Sequence, residues 1–250
     1  MDRRHFLMGT ARTAGLFLLA GCDALSRDDR FVRLLERAEN LAYRVHRRLT
    51  PRRALAVEYT EAERSPVFPT NGETRPDNPQ YQAWAASGFA NWSLQVTGKV
   101  ARPTRFSLSG LRALPSRTQI TRHDCVEGWS AIAKWKGVPL AEVLKPVGVR
   151  PDARFVVFHC ADRDPSGVHY YESIDLEDAA HPQTILAYDL NDQPLPMGHG
   201  APIRLRVERQ LGYKMAKFVM RIELVDRLDR IGYGRGGYWE DQGYEWYAGI

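Results

Sequence analysis

The run Thr121-Arg122-His123-Asp124-Cys125-Val126-Glu127-Gly128-Trp129-Ser130 gathers a thiol, an imidazole, two carboxylates and an indole. A thiolate is both a soft nucleophile and a soft metal ligand. The chain has three cysteines, Cys22, Cys125 and Cys160. In an oxidising compartment a Cys125–Cys160 disulfide is the default, and the spacing equally allows one or both to act as thiols. Zinc cages need runs such as C-x-x-C or H-E-x-x-H, and neither occurs. A cysteine protease would pair Cys125 with a histidine such as His159, His169 or His199. Seven histidines make such a pairing possible and unspecific.

The N-terminus carries an address. Arg3-Arg4-His5-Phe6-Leu7 is a twin-arginine start, followed by an apolar stretch from Ala14 to Ala20 that is too short to span a bilayer. Leu19-Ala20-Gly21-Cys22 resembles a bacterial lipobox, which implies cleavage before Cys22 and lipidation of that residue. A plain signal peptide with an incidental cysteine is the alternative. Asp23 resembles a signal for retention at the inner membrane. Twin-arginine export moves folded proteins, which suits a chain that takes up a cofactor first. The expectation is a signal peptide over residues 1–21 and a periplasmic protein, lipid-anchored at the inner membrane.

The formal net charge is +5. Arg27 to Arg53 holds nine arginines against Asp28, Asp29, Glu36 and Glu39, so this segment alone carries +5 and the remainder sums to zero. That distribution, with export, excludes nucleic acid as a partner. Phe31, Leu34, Leu35, Ala38, Leu41, Ala42, Val45 and Leu49 recur at helical spacing, with Arg30, Arg33, Arg37, Arg44 and Arg48 in a narrow arc beside them. Asp28 or Asp29 can cap the start. Two readings stand: a solvated face of a helix packed on the main domain, or a basic helix on anionic lipid.

The elements that must position Cys125 lie downstream. Residues 51–90 are rich in proline, and Pro66, Pro69, Pro76 and Pro79 rule out a long helix, so a long loop is expected. Strands are expected at Trp92–Val96, Thr118–Thr121, Arg154–His159, Ile203–Val207 and Phe218–Val225. Short helices are expected over Ser107–Leu114, with a serine cap, and over Val138–Leu144. This is an α+β domain of mixed β-sheets and short helices. Its catalytic part is set at 56–228, after a lipidated N-terminus and basic helix over 22–55. From Ile231 onward glycines alternate with aromatics, which forbids a regular helix; a C-terminal wrap over 229–250 buries its rings against the domain.

His123 to Ser130, followed by Trp135-Lys136-Gly137-Val138-Pro139-Leu140, resembles the sulfite oxidase superfamily of molybdopterin enzymes. Asn191, Pro194-Leu195-Pro196 and Gly200-Ala201-Pro202-Ile203-Arg204-Leu205 resemble its second signature. Leu211-Gly212-Tyr213-Lys214-Met215-Ala216-Lys217 resembles its third. The likeness covers about residues 66–226 and is closest to small bacterial periplasmic members, which include methionine-sulfoxide reductase catalytic subunits. It implies the sulfite oxidase-type fold and a molybdenum ion held by Cys125 and the dithiolene sulfurs of molybdopterin. Arg204 and Lys217 would meet the cofactor's terminal phosphate, with backbone N–H groups around Met215 and Ala216. By the same resemblance Asn71, Thr74, Arg75, Cys160 and His199 would touch the cofactor. Cys160 and His199 depart from the family's residue types at their positions. Metal ligation by Cys125 would exclude the Cys125–Cys160 disulfide.

What the resemblance implies is two-electron oxygen-atom transfer: reduction of an S-oxide or N-oxide, including methionine sulfoxide in proteins. Sulfite oxidation is the alternative; Arg122 is the only cation beside Cys125, which tilts toward a reductase. Trp129, Tyr170 and Tyr171 could line the substrate entrance or pack in the core. With no C-x-x-C-H, and without the length of the larger members' dimerisation domain, electrons are expected to pass through a haem-bearing or quinone-linked membrane subunit. The reading from another class is a lipid-anchored binding protein that has lost the metal.

Overall fold

A computed structural model of the chain describes residues 28–250. The expected export signal, lipobox and Cys22 lie outside them. The chain divides into two units, Met1–Pro51 and Arg52–Ile250. In the first, helix α1 (Asp29–Leu49) is capped by Asp28, whose carboxylate accepts from the N–H groups of Arg30 and Phe31 at 2.8 and 3.1 Å. No helix among the described residues is long and apolar enough to cross a membrane.

The second unit holds two sheets. Strands β1 (Ser93–Gly98), β2 (Thr104–Ser107), β5 (Phe155–Arg163), β6 (His169–Asp175) and β10 (Val219–Val225) form one, in the order β2-β1-β10-β5-β6. Only β1 and β10 run parallel. The other sheet runs β3 (Arg117–Asp124), β4 (Ser130–Pro139), β7 (Ile185–Leu190) and β8 (Gln193–Pro194), with β9 (Arg204–Arg206) paired to β7. Leu94, Val96, Val156, Phe158, Ile222 and Leu224 of the first sheet join Val138, Leu186 and Leu205 of the second in one apolar cluster. Each such side chain contributes about 1.5–3 kcal/mol on burial.

Ahead of its tail this unit has four short α-helices: α2 (Pro79–Ala86), α3 (Leu108–Ala113), α4 (Leu140–Val147) and α5 (Leu176–Ala179). Ser107 caps α3, accepting from the Gly110 N–H at 3.0 Å, as the sequence suggests. Helix α2 corrects the expectation of an unbroken loop over 51–90. Pro79 occupies its first turn, where the missing N–H costs nothing, and Asn78 caps it. Helix α4 begins at Leu140 rather than Val138, because β4 continues through Pro139.

Strand β3 matters most for the site. Its inward residues Gln119, Thr121 and His123 are buried and polar. Strand parity places Cys125, just past the end, on that same face. A polar inner face needs partners, and Gln119 finds them in Glu208 at 2.7 Å and the Gln183 carbonyl at 3.1 Å.

The tail corrects the expectation that its glycines forbid a helix: one helical turn, α6 (Tyr238–Asp241), forms after Gly237, and the rings on either side pack on the domain. Trp246 donates to Ser173 Oγ at 2.8 Å, and Tyr213 donates to the Glu245 carbonyl at 2.5 Å. The Ile250 N–H reaches the Arg209 carbonyl at 3.0 Å. Beneath the wrap, fully buried Lys214 donates to Glu172 at 2.5 Å and to Glu240. Two carboxylates share one ammonium here, so removing the ammonium leaves buried negative charge. Lys214→Met should lower stability by about 3–5 kcal/mol in chemical denaturation. The additional change Glu240→Gln should recover part of that loss.

Candidate active site

Cys125 follows β3 in a tight turn. Its N–H bonds the Trp129 carbonyl at 2.9 Å, and the Gly128 N–H returns to the Cys125 carbonyl at 3.1 Å. Gly128 sits at φ 88°, a left-handed conformation that glycine adopts at little cost. The turn brings the thiol to one wall of a cavity of about 290 Å³. Cys125 is 8% exposed, and Asn71 Nδ2 approaches its sulfur at 3.9 Å. Burial pushes the thiol pKa up, while the backbone N–H groups of Glu127 and Val126 pull it down. Both Cys125 and Cys160 are free thiols, so the disulfide alternative is not realised. Among the described residues, no three His, Cys, Asp or Glu side chains converge on a common metal position.

Arg204 forms the opposite feature of the cavity. It lies on β9 two residues before Arg206, and both guanidinium groups stack over Trp135 of β4, at 5.1 and 4.4 Å. Arg206 is neutralised by buried Glu208, at 2.6 Å. The hydrogen-bond partners of Arg204 are carbonyls, those of His199 at 3.2 Å and Met215 at 3.4 Å, and its Nε has no partner. Burial and the neighbouring Arg206 push Arg204 down to about 9. Lys217 also lines the cavity, donating to the carbonyls of Asn71, at 2.6 Å, and Glu73. Burial and Arg204 push it down to about 8. Buried Arg204 and half-buried Lys217 face one cavity with no carboxylate bonded to either, an arrangement that suits an anion.

Two glycines bring these walls together. A Cβ on Gly212 would lie 2.4 Å from His123 Nε2, and a Cβ on Gly200, at φ 106°, would lie 2.8 Å from Cβ of Lys217. His123 is buried and neutral, its pKa held far down by burial and by Arg206. Its Nδ1 accepts from Arg206 at 2.9 Å.

Of the residues expected from sequence, Asn71, Cys125, Arg204, Met215 and Lys217 line the cavity. Cys160, Ala216 and His199 stand behind it. Cys160 is buried on β5, with its thiol pushed well up by burial and by Asp162 and Glu172. Ala216 accepts from the Leu205 N–H at 2.8 Å. His199 is held down to about 4 by burial, Arg204 and Lys217, so it is neutral there. Thr74 and Arg75 depart from expectation: both are exposed and outside the cavity lining, and their N–H groups are tied to the Glu73 carboxylate at 2.7 and 2.6 Å. Tyr170 lines the cavity, whereas Tyr171 lies under the tail and bonds Asp241. Trp129 donates to Glu127 at 2.9 Å and packs against Phe68 and His123.

Sequence reasoning missed several lining residues. Asp162 is 7% exposed, and its Oδ1 has no partner. Its signal was a carboxylate directly after the largely apolar run Phe155-Val156-Val157-Phe158-His159-Cys160-Ala161. Glu73, Glu127 and Asp164 add further acid, and Tyr238 and Trp239 of the tail complete the mouth.

The oxidoreductase molybdopterin binding domain family matches residues 81–231. A putative protein-methionine-sulfoxide reductase subunit of Azospira oryzae is 39% identical over 247 residues, covering 99% of this chain and 87% of that protein. Protein-methionine-sulfoxide reductase catalytic subunits of Xanthomonas campestris pv. campestris and Ralstonia nicotianae are each 37% identical, over 55% and 54% of this chain. Those matches span 46% and 44% of the relatives' own lengths, less than half of each. Among solved structures, the sulfane dehydrogenase SoxCD of Paracoccus pantotrophus aligns with a TM-score of 0.50 at 24% identity, covering 55% of this chain and 39% of that one, a likeness of fold.

The residues present fit molybdopterin. The unpartnered Nε of Arg204, together with Lys217, suits its phosphate. The unpartnered Oδ1 of Asp162 suits the N–H donors of a pterin edge. Cys125 offers the soft sulfur a molybdenum ion takes.

Asp162 also gives a measurable pH dependence. Burial holds its carboxyl up to about 7, above the unfolded value. The stability of the neutral form is complete below the usual carboxylate range and is lost as pH rises through about 7. Lys217, held down to about 8, acts in the opposite sense above that pH. Cofactor-free protein should therefore lose denaturant resistance between about pH 4 and about pH 7, with no further loss above that. Asp162→Asn should flatten that decline; an unchanged slope would place the titration elsewhere.

Proposed function

This chain belongs to the molybdopterin-binding oxidoreductase family, and we propose that it reduces S-oxides, methionine sulfoxide in proteins above all, in the periplasm. Bound molybdopterin supplies the two-electron redox chemistry at its metal. In this reading Cys125 is the protein ligand of that metal, and Asn71 steadies the sulfur through its amide. Arg204 and Lys217 anchor the phosphate, Asp162 receives pterin N–H groups, and Met215 closes the pocket floor. His123, neutral and pinned by Arg206, holds the wall on which Cys125 and Met215 sit.

The charge left at the mouth carries the choice of substrate. Once Arg204 and Lys217 serve the phosphate, Arg163 is the remaining lining cation, and it is paired to Asp77 at 2.8 Å. Arg122, the cation beside Cys125, is tied to Asp124 at 2.9 Å and does not line the cavity. Glu73, Glu127 and Asp164 remain. Such a mouth repels sulfite and accepts a neutral S-oxide. Reducing an S-oxide to a sulfide and water consumes two electrons and two protons. Glu127, two residues from Cys125 and oriented by the Trp129 indole, is placed to hold a proton for the departing oxygen. The electrons come from a haem-bearing or quinone-linked membrane subunit. The name shared by the relatives supports the same substrate class.

Holoenzyme from a host that makes molybdopterin should reduce free and protein-bound methionine sulfoxide with an artificial electron donor. Its kcat/KM for those substrates should exceed that for sulfite oxidation by at least about two orders of magnitude, the scale of one well-placed charge interaction. Efficient sulfite oxidation with no S-oxide turnover would contradict the proposal. Glu127→Gln should lower kcat more than it raises KM, with molybdenum content unchanged.

A further inference from the structure

Helix α1 takes no part in the cavity, and its surface is unusual. At 100° per residue, Phe31, Leu34, Leu35, Ala38, Leu41, Ala42, Val45 and Leu49 span an arc of about 120°. Leu34, Leu35, Leu41, Val45 and Leu49 are 45–78% exposed. Arg30, Arg33, Arg37, Arg44 and Arg48 fall in an adjoining arc of about 60°, and all five are exposed. The far side carries Glu39, Tyr43 and His46, which are half-buried. Five of the helix's six arginines therefore crowd one flank of the apolar stripe, while half-buried Arg47 lies over the Tyr43 ring on the far side.

We propose that helix α1 lies in the plane of an anionic membrane surface, its apolar stripe in the headgroup–acyl boundary and its arginine arc among lipid phosphates. Three features select lipid over a second copy of this chain or a protein groove. First, the stripe is as wide as an interfacial helix requires, wider than the narrow seam of a coiled coil. Second, five arginines crowded along one border would repel their symmetry mates in a self-paired helix, whereas anionic headgroups neutralise them. Third, long arginine stems can lie along the apolar boundary while the guanidinium groups reach the phosphates, each fork matching phosphate oxygens in pairs. The helix also lacks the continuous apolar length of a spanning segment, so it rests on the bilayer. This inference does not depend on the proposed substrate. An enzyme held in this way presents its chemistry at the membrane surface.

The test uses holoenzyme carrying Cys22→Ser, so that no acyl group contributes to binding. Its co-sedimentation with vesicles of phosphatidylcholine alone is compared with that of vesicles also containing phosphatidylglycerol. Binding should require the anionic lipid, and it should fall by at least roughly tenfold at high salt. Replacing Arg30, Arg33, Arg37, Arg44 and Arg48 by glutamine should remove it. Leu34→Asn with Leu41→Asn should weaken it at constant charge, since lost apolar insertion acts separately from lost attraction. Molybdenum content and turnover of a soluble S-oxide should not change in either variant, which shows that both are folded. Equal binding to neutral and anionic vesicles, no binding at low salt, or binding that survives the arginine changes would each overturn the proposal. So would a concentration-dependent dimer that the Leu34→Asn, Leu41→Asn variant abolishes.

Discussion

A guanidinium buried without a carboxylate is the constraint around which this structure is arranged. Arg204 and Arg206 lie on the same face of β9 and share the ring of Trp135, yet only Arg206 has an anionic partner inside the protein. Holding an ion out of water costs several kcal/mol even after relaxation. The two carbonyls on Arg204 offset part of that cost and leave Nε unmet. Lys217 adds a second cation, brought close by Gly200, where no side chain would fit. A protein folded only for stability would have given Arg204 a carboxylate, as it gave Arg206 its Glu208. The unmet Nε of Arg204 leaves a place for an anion in the cavity. Cofactor binding and stability are therefore linked.

The thiol is positioned by a different logic. Strand β3 turns a polar face inward, and the same parity continues to Cys125 after the strand ends. The tight turn at Gly128 then fixes the direction of the sulfur without any cage of protein ligands. A site built this way supplies one ligand and leaves the others to the molecule that fills the cavity. The C-terminal wrap closes the design, since Tyr238 and Trp239 complete the mouth while Lys214, Glu172 and Glu240 pin the segment beneath.

Much of this was legible in the sequence, for reasons that are physical. The thiol, the β9 arginine and Lys217 lie in short blocks whose backbone conformation is set locally by glycine, proline and strand parity. Strands β1, β3, β5 and β10 announced themselves by apolar alternation or runs bounded by turn residues. Strands β2, β4, β6, β7 and β8 went unassigned. The lysines in β4 mask its alternation, and the run of apolar residues that opens β7 fits helix and strand alike. Tyr238 reaches the mouth through a contact with Asp164, 74 residues away in sequence, and no local pattern encodes that. Thr74 and Arg75 were misplaced because one carboxylate, Glu73, turns their N–H groups back on their own loop. The disulfide remained open on counting alone; in the structure both cysteines are free thiols.

The central claim is that the sulfur of Cys125 bonds the metal. Molybdenum X-ray absorption on the purified holoenzyme tests this most directly, since it reads the number and distance of sulfur neighbours. The account predicts three sulfur neighbours in the native enzyme. In Cys125→Ser it predicts one fewer, replaced by an oxygen or nitrogen neighbour, with the phosphate-anchored cofactor still bound. An unchanged sulfur count in Cys125→Ser would contradict the account, because the thiol would then have no bond to the metal.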